Sequence, residues 1–305
     1  MKVFYKNTEI SDNLNYVNIN TDGAEIVAGT KFAYSTFESL PEAYEGYVLA
    51  QTDWSNMFLE CRGLTSLDVS NWDTSKVTNM QSLFRACTNI PVLDVSNWNT
   101  SAVTDMSFLF YNCSALTSLD LSSFDTSKGT DMRNMLSNCS GLTSLNLGNL
   151  DTSNVTNMGN MIAGLGYSGT LDLSHFITSA VTNIANFAMQ SKMTSFIAKD
   201  WNLLNCKHIN ALFLNCPNLQ TVDLSGWTFG NVTTMFGIFE NCPNIESIDL
   251  SGWNLTTSQI YAIFRNDTKL KTITLKGCSE TFVDWIKSEI TQSGLSLDNI
   301  TLITE

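Results

Sequence analysis

Leu64-Thr65-Ser66-Leu67-Asp68-Val69 is the stretch that decides the fold, because the same phrase returns as Leu116-Thr-Ser-Leu119-Asp120-Leu121 and Leu219-Gln-Thr-Val222-Asp223-Leu224. Its second apolar residue recurs every 26 residues, and twice after 25, at Leu67, Leu93, Leu119, Leu145, Leu171, Phe196, Val222, Ile248 and Ile273. Such a period is typical of stacked repeat proteins, in which each unit buries its apolar face only against its neighbours. We therefore expect function to reside in the surface of the stack.

Each repeat begins with a strand pattern. In Leu67-Asp68-Val69-Ser70 apolar and polar residues alternate, which predicts a strand with one buried face. Shortly afterwards comes a bulky apolar residue, which we expect to stack at the corner where the strand ends: Trp72, Trp98, Phe124, Leu150, Phe176, Trp201, Trp227 and Trp253.

The second half of each repeat has a helical pattern. Val77, Met80, Leu83, Phe84 and Cys87 are spaced as the apolar stripe of a short helix, with Thr78 as its expected N-cap. The stretch is shorter than the roughly 12 to 15 residues that an isolated helix needs in water. We therefore expect it to persist only by packing against neighbouring repeats.

The repeats predict an α/β solenoid, a leucine-rich-repeat-like right-handed stack with a parallel sheet on one face and short helical turns on the other. It spans residues 51–278, as one elongated body. Residues 1–50 depart from the repeat, with short strand candidates at Phe4-Tyr5, 16–19 and 47–49; they are expected to form an N-terminal cap or, alternatively, a segment that binds an assembly partner. Residues 279–305 are expected to form a C-terminal cap, with a helix from Glu280 to about residue 291 and a last strand.

Six of the eight cysteines share one position of the repeat: Cys61, Cys87, Cys113, Cys139, Cys216 and Cys242. A shared position favours a column of small, buried, free thiols over disulfides. Cys206 and Cys278 lie outside this column, and no second ligand pair accompanies Cys206 and His208, so we predict neither a metal site nor a cofactor.

The segment Leu64 to Cys87 resembles the bacterial leucine-rich repeats of the BspA type, whose units read approximately Leu-x-x-Leu-Asp-Leu-Ser-x-Trp-Asp-Thr-Ser-x-Val-Thr-x-Met-x-x-Met-Phe-x-x-Cys. Similar copies run from about Thr52 to Leu275. The resemblance implies a surface protein that binds host matrix, other cells or glycans. It specifies the fold more closely than the ligand, because a shared scaffold does not carry a shared ligand.

Charge and hydropathy exclude several classes of partner. With 16 Lys and Arg residues against 29 Asp and Glu residues, the net charge of −13 repels nucleic acid and anionic lipid. No apolar run is long enough to span a membrane, and the start of the chain lacks the pattern of a secretory signal. We expect an extracellular or cell-surface protein, exported by a non-classical route or trimmed of its signal, or alternatively a virion protein.

The candidate binding residues follow the inward apolar residue of the strand. Asp68, Asp94, Asp120, Asp172, Asp223 and Asp249, here called the Asp strip, share this position, which Asn146, Ile197 and Thr274 take in other repeats. Stacked carboxylates repel one another, which predicts raised pKa values or the attraction of cations or hydrogen-bond donors. Flanking hydroxyls such as those of Ser70 and Ser122 could satisfy them; alternatively the strip binds a basic partner or a ligand with the help of calcium.

The repeat is interrupted at two places. Three glycines surround Tyr167 in residues 163–169, which predicts a local kink or a loop in which Tyr167 contacts a ligand. In residues 189–198, Phe196-Ile197-Ala198 replaces the usual Leu-Asp-Leu. These interruptions and the Asp strip are where we expect a specific partner to bind.

Catalytic motifs are missing from the sequence. It has no phosphate-binding glycine loop, no His-Glu-x-x-His and no Gly-x-Ser-x-Gly, and its two histidines, His175 and His208, take different repeat positions. We therefore predict no catalytic residues and a recognition or adhesion solenoid that binds a protein or glycan on a cell or mucosal surface. The alternatives are a structural or decoration component of a phage particle and, less favoured, a hydrolase using the Asp strip.

Overall fold

The structure is a computed structural model that describes residues 3–5, 8–11, 24–25, 52–70, 72–230, 232, 235–255 and 260–305. The chain divides into two compact units, Met1–Asp151 and Thr152–Glu305. Both contain the repeat, and each repeat forms one level of a stack, here called a rung. Most of the expected N-terminal cap, including the strand candidates 16–19 and 47–49, lies outside the described residues.

The first unit contains two small sheets. Three antiparallel strands in the order β2-β1-β3 are formed by β1 (Val3–Tyr5), β2 (Thr8–Ser11) and β3 (Ala24–Glu25). A parallel pair within the repeats is formed by β4 (Ser118–Asp120) and β5 (Ser144–Asn146), with Leu119 opposite Leu145. The strand predicted at Leu67–Ser70 is not formed, and residue Val92 pairs with Ser118 only in an isolated bridge. Leu67 and Val69 are nevertheless buried and Asp68 is exposed, as the alternation predicted.

The second unit is built around a parallel sheet of six strands in the order β15-β14-β12-β9-β7-β6. These are β6 (Thr170–Asp172), β7 (Ser195–Ile197), β9 (Thr221–Asp223), β12 (Ser247–Asp249), β14 (Thr272–Thr274) and β15 (Thr301–Ile303). Equivalent repeat positions lie opposite one another, as in the row Leu171, Phe196, Val222, Ile248, Ile273 and Leu302. The predicted parallel solenoid is therefore confirmed.

Two short parallel pairs lie elsewhere on the rungs of the second unit. The first joins β8 (Asn202–Leu203) to β10 (Thr228–Phe229), and the second joins β11 (Met235–Phe236) to β13 (Ile260–Tyr261). Equivalent residues are again paired, so each rung contacts the next on more than one side.

The second half of the rung consists of tight turns, and the predicted short helix is wrong. In residues 80–87 alternate amides bond to the next rung, as in Met80 N to Asp105 O (2.9 Å) and Phe84 N to Leu109 O (3.0 Å). The intervening amides close turns inside the rung, as in Cys87 N to Phe84 O. Ser82 and Ala86 have φ values of 56° and 61°, which no α-helix accommodates. Thr78 is accordingly no N-cap, and its hydroxyl donates to Thr52 O (3.1 Å).

Aromatic side chains form the predicted column under the corner. Trp201 stacks on Trp227 with ring centroids 5.2 Å apart, and Trp227 stacks on Trp253 at 5.4 Å. The buried indole nitrogens also bond to the previous rung, as in Trp253 Nε1 to Leu224 O (2.8 Å). Because each of these rings fills the space between rungs and satisfies its own polar atom, this part of the corner is both apolar and hydrogen-bonded.

The cysteine column is buried and free, as predicted. From Cys87 onward its thiols donate to the carbonyl of an earlier rung, as in Cys113 Sγ to Phe84 O (3.2 Å) and Cys242 Sγ to Phe213 O (3.0 Å). Burial raises the pKa of Cys139 to about 12, which suppresses the reactive thiolate. Ser191 takes the same place in its rung and likewise donates to Ile162 O (2.7 Å).

A helix closes the second unit at its C-terminal end. The helix α1 spans Glu280–Gln292, where the sequence predicts it, and buries Phe282, Ile286 and Ile290. A short 3-10 helix, Leu297–Asn299, leads from it to β15. Glu289 of α1 is only 2 % exposed, and its carboxylate accepts a hydrogen bond from the backbone amide of Ile263 (3.5 Å). This bond joins the helix to the rung that contains Ile263.

The last rung contains a buried acid in the cysteine position. Asp267 is 0 % exposed; its Oδ1 accepts from Cys242 N (2.9 Å), while Oδ2 has no hydrogen-bond partner among the residues that the structure describes. Burial, reinforced by the charge of Glu240, raises the pKa of Asp267 to about 9 despite the bond from Cys242 N. The side chain is therefore a neutral carboxylic acid at neutral pH.

We expect Asp267→Asn to remove a pH-dependent cost. The folded pKa of about 9 exceeds the ordinary value of 3.8, so this group disfavours the folded state increasingly as pH rises between those values. The amide introduced by the substitution has no proton to lose in this range, so the melting temperature of the variant relative to the parent should increase from pH 5 to pH 8. Thermal melts followed by circular dichroism test this, with the exposed Asp298→Asn as control. A difference independent of pH would contradict the buried neutral acid.

Candidate binding face on the parallel strands

The outward side chains of the parallel strands form regular rows in the second unit. The first outward position carries a hydroxyl in each rung of the sheet: Thr170, Ser195, Thr221, Ser247, Thr272 and Thr301. The hydroxyl of Thr221 donates to that of Ser195 (2.7 Å) and so connects two rungs. The second outward position is that of the Asp strip, two residues further along each strand. This surface is called the strand face below.

Each aspartate of the Asp strip closes a local turn. The Oδ1 atom of Asp94 accepts from the amide of Ser96 (3.1 Å) and from its hydroxyl (2.6 Å). The hydrogen bond from the serine amide to the aspartate Oδ1 recurs at each of the other members of the strip. The pairs are Asp68 and Ser70, Asp120 and Ser122, Asp172 and Ser174, Asp223 and Ser225, and Asp249 and Ser251. Such turns are the local hydrogen bonds that short acidic side chains favour.

These bonds contradict the prediction that repulsion raises the pKa values of the strip. The hydroxyl and amide of Ser96 lower the pKa of Asp94, and they outweigh the opposing effect of the Asp68 charge. The pKa values of Asp68, Asp120 and Asp172 are lowered by the equivalent serine. Hydrogen bonds to the ionised form win because the exposed charges repel one another only weakly through water. The alternative, attraction of donors such as Ser70 and Ser122, is what occurs.

One rung departs from the strip both at the aspartate position and at the serine that follows it. Where neighbouring rungs have Asp and then Ser two residues later, this rung has Ile197 and Lys199. The Lys199 ammonium reaches the next rung and contacts Asp223 Oδ2 at 3.0 Å. Burial raises the pKa of Asp223, but the hydrogen bonds from Ser225 and Lys199 lower it by more than burial raises it. The pKa of Asp223 is therefore below its ordinary value. The bond to Asp223 likewise raises the pKa of Lys199.

A second departure lies three rungs further along the sheet. There Thr274 takes the aspartate position and Lys276 the serine position. Between the two departures the strand face has a shallow depression of about 270 Å³ lined by β7, β9, β12 and β14, with Asp223 and Asp249 near its centre. The sequence predicts an interruption at Ile197 but gives no prediction at Lys199 and Lys276, although alignment of the rungs shows both as lysines in a serine column.

Tyr167 lies in the glycine-rich loop between the turns and β6. Its side chain is half-buried, its hydroxyl donates to Thr170 O (3.3 Å), and its ring packs against Gly169 so closely that a side chain at that position would displace it. Tyr167 thus holds its own loop together. Its contact with a ligand stays a prediction, as does ligand binding by the Asp strip.

Other chemical roles find little support in the described part of the chain. No group of three or more His, Cys, Asp or Glu side chains is placed to hold a metal ion there. The ring of His175 lies edge-on to that of Phe176, with centroids 5.0 Å apart, and the backbone of His208 pairs with that of Asn183. The two histidines therefore take different positions in the repeat. Among the described residues, no helix is long and apolar enough to cross a membrane.

Comparison with known proteins gives a family and several distant structures. The sequence matches the family described as "Mycoplasma protein of unknown function, DUF285" over residues 52–169 and 166–276. No curated protein matches the sequence. The resemblance to the BspA type stays a prediction.

Several solved structures are similar to the chain, among them the following three. A leucine-rich repeat protein from Bacteroides ovatus has 12% identity and a TM-score of 0.36, with 90% of this chain and 81% of that chain covered. An internalin from Listeria monocytogenes has 12% identity and a TM-score of 0.26, with 87% and 82% covered. A leucine-rich repeat protein from Leptospira interrogans has 11% identity and a TM-score of 0.22, with 90% and 95% covered.

We expect Ser96→Ala to raise the pKa of Asp94, because the Ser96 hydroxyl is the main cause of its low value. A lowered folded pKa contributes stability above the unfolded pKa, and this contribution is lost as pH falls through the folded pKa. The variant should therefore be less stable than the parent at pH 7 and equally stable in strong acid. A carboxyl titration by NMR and urea unfolding at both pH values measure this. The control is Ser66→Ala, which removes an exposed serine that precedes the strip aspartate Asp68 instead of following it, and it should change neither quantity.

Proposed function

Because this chain belongs to the DUF285 family, whose function is unknown, we propose from its surface that it is a non-catalytic binding module. In this proposal the strand face holds a protein or glycan ligand, and the module serves adhesion at a cell or mucosal surface. The interior is filled by the apolar, aromatic and cysteine columns, so the outward rows are the part of a rung that is free to vary for recognition.

One observation carries the proposal: the strand face combines a depression of about 270 Å³ with rows of outward polar side chains held in fixed positions. Each strip aspartate is fixed by its serine turn, so a ligand would not have to order it on binding. Side chains that are already ordered lose less conformational entropy in a complex, which favours affinity. The repetition of one group per rung also suits a ligand that itself repeats.

The same rows argue against catalysis. General acid and base catalysis needs titratable groups whose pKa values are pushed apart by different environments. In the Asp strip the serine turns shift the pKa values of Asp68, Asp94, Asp120 and Asp172 in the same direction, downward, and no proton donor results. The acid with a strongly raised pKa, Asp267, is fully buried and out of reach of a substrate.

The surface chemistry favours adhesion over association with nucleic acid or lipid. The net charge of −13 opposes contact with polyanions, and charged residues make up only 15% of the chain. An outward surface dominated by hydroxyls and amides binds through hydrogen bonds rather than through bulk charge. This supports a ligand displayed on a cell or mucosal surface.

The double variant Asp172→Lys/Asp249→Lys should lose about tenfold or more of the binding of the full chain to cultured epithelial cells and to mucin-coated surfaces, because it places two bulky cations on the strand face. The matched control is Asp73→Lys/Asp125→Lys. These aspartates lie at a different corner of the rung and are exposed, and each is held by the same kind of serine turn. Flow cytometry and surface plasmon resonance provide the measurement. Equal loss in both variants, or no binding by the parent chain, would contradict the proposal.

A further inference from the structure

We propose that the depression on the strand face of the second unit binds an uncharged oligosaccharide that lies across the rungs. In this site Asp223 and Asp249 provide acceptors at the centre, while Lys199 and Lys276 provide donors on the two flanking rungs. The inference rests on the proposed function and specifies its ligand class.

The repeat itself supplies the first argument. The scaffold accepts Asp followed two residues later by Ser at this place, as in the rungs of Asp172, Asp223 and Asp249, so folding does not demand anything else. Three rungs of the sheet abandon both residues. The last has Ile303 and Glu305 at these places, and in the other two, those of Lys199 and Lys276, the serine is replaced by lysine. These two rungs bound the depression, since its lining includes Ile197 on one side and Thr274 on the other. A paired change at the borders of a depression points to a ligand rather than to packing.

Charge supplies the second argument. The lining contains two aspartates, and the two rungs that bound it each add one lysine, so the formal charges of these four residues cancel in a chain whose net charge is −13. One of these pairs is already formed, with Lys199 Nζ 3.0 Å from Asp223 Oδ2. A neutral site favours neither a polycation nor a polyanion. It therefore complements an uncharged ligand that offers many hydrogen bonds.

The types of side chain supply the third argument. The carboxylates accept, the ammonium groups donate, and the hydroxyls of Ser195, Thr221 and Ser247 do both, which matches the alternating donors and acceptors of sugar hydroxyls. Ile197, paired between Asp172 and Asp223, adds a small apolar area for the C–H groups of a sugar ring. Protein interfaces are instead enriched in aromatic residues and arginine, which are absent from the outward positions of β7, β9, β12 and β14.

The dimensions suit a chain of sugars. At about 4.8 Å between strands, the rungs of Lys199 and Lys276 are roughly 14 Å apart. The depression between them is open and shallow, and its volume of about 270 Å³ is just below the roughly 300 to 1,000 Å³ of small-molecule pockets. A linear oligosaccharide can contact all four rungs without being enclosed, whereas a single small molecule would gain little from so open a site.

The experiment screens the full chain on an array of neutral oligosaccharides that includes chitotetraose, cellotetraose and lacto-N-tetraose. 3′-Sialyllactose, heparin fragments and a lysine-rich peptide represent the charged ligands. Isothermal titration calorimetry then measures the affinity of each neutral glycan that binds. We expect binding among the neutral glycans; binding confined to the charged probes, or an array without binding, overturns the inference.

Reversion to the repeat locates the site. Ile197→Asp/Lys199→Ser and Thr274→Asp/Lys276→Ser install the residues that neighbouring rungs already carry, so both variants should fold. Each should weaken the glycan about tenfold or more. The control is Ile177→Asp/Lys192→Ser, which makes the same charge change at exposed positions away from the strand face and should bind as the parent does. Thermal melts verify folding. Parental affinity in both reverted variants overturns the inference.

The two proposals fail in different ways. If the chain adheres to cells through the strand face but no oligosaccharide binds, the glycan inference fails and the binding module stands. If the chain binds no cell, no mucin and no array component, both fail.

Discussion

The backbone hydrogen bond from one rung to the next is the interaction on which each unit depends. It occurs in the sheet, where Phe196 lies opposite Val222, and again in the turns, where Phe84 N donates to Leu109 O. Because equivalent residues must face each other on both sides, every rung needs nearly the same length. The side-chain columns of aromatics and cysteines follow from this register, since a residue type that fits one rung meets its own copy in the next.

The columns were predictable because the repeat period in the sequence gives the register between rungs directly. The inward leucines, the corner tryptophans and the thiol column need only the period and the rule that apolar residues are buried. The helix α1 was also predictable, since Phe282, Ile286 and Ile290 form a helical stripe with no repeat to explain them otherwise. In the second unit the strands align as the period requires.

The turn half of the rung was mispredicted for a specific reason. The buried residues Met80, Leu83, Phe84 and Cys87 have the spacing of a helix. Periodicity shows which residues are buried, but it does not determine the backbone conformation that buries them. The backbone reaches that spacing with left-handed residues such as Ser82 and Ala86, whose cost is offset by bonds to the next rung. The pKa values of the Asp strip were mispredicted because repulsion was weighed without the serine turns. Lys199 and Lys276 were missed because the columns were interpreted by their consensus rather than by their exceptions.

A shared register also limits how such a chain can change in length. Removing or adding one complete rung leaves every remaining Phe, Trp and Cys opposite its own equivalent, and the bond of Glu289 to the last rung is unaffected. Removing a few residues within a rung shifts all of its columns at once and leaves apolar side chains facing water. Evolution of this protein is therefore expected to proceed in whole repeats, so that relatives differ in steps of 25 or 26 residues. The size of the ligand surface would then change by discrete increments, one row of outward side chains at a time.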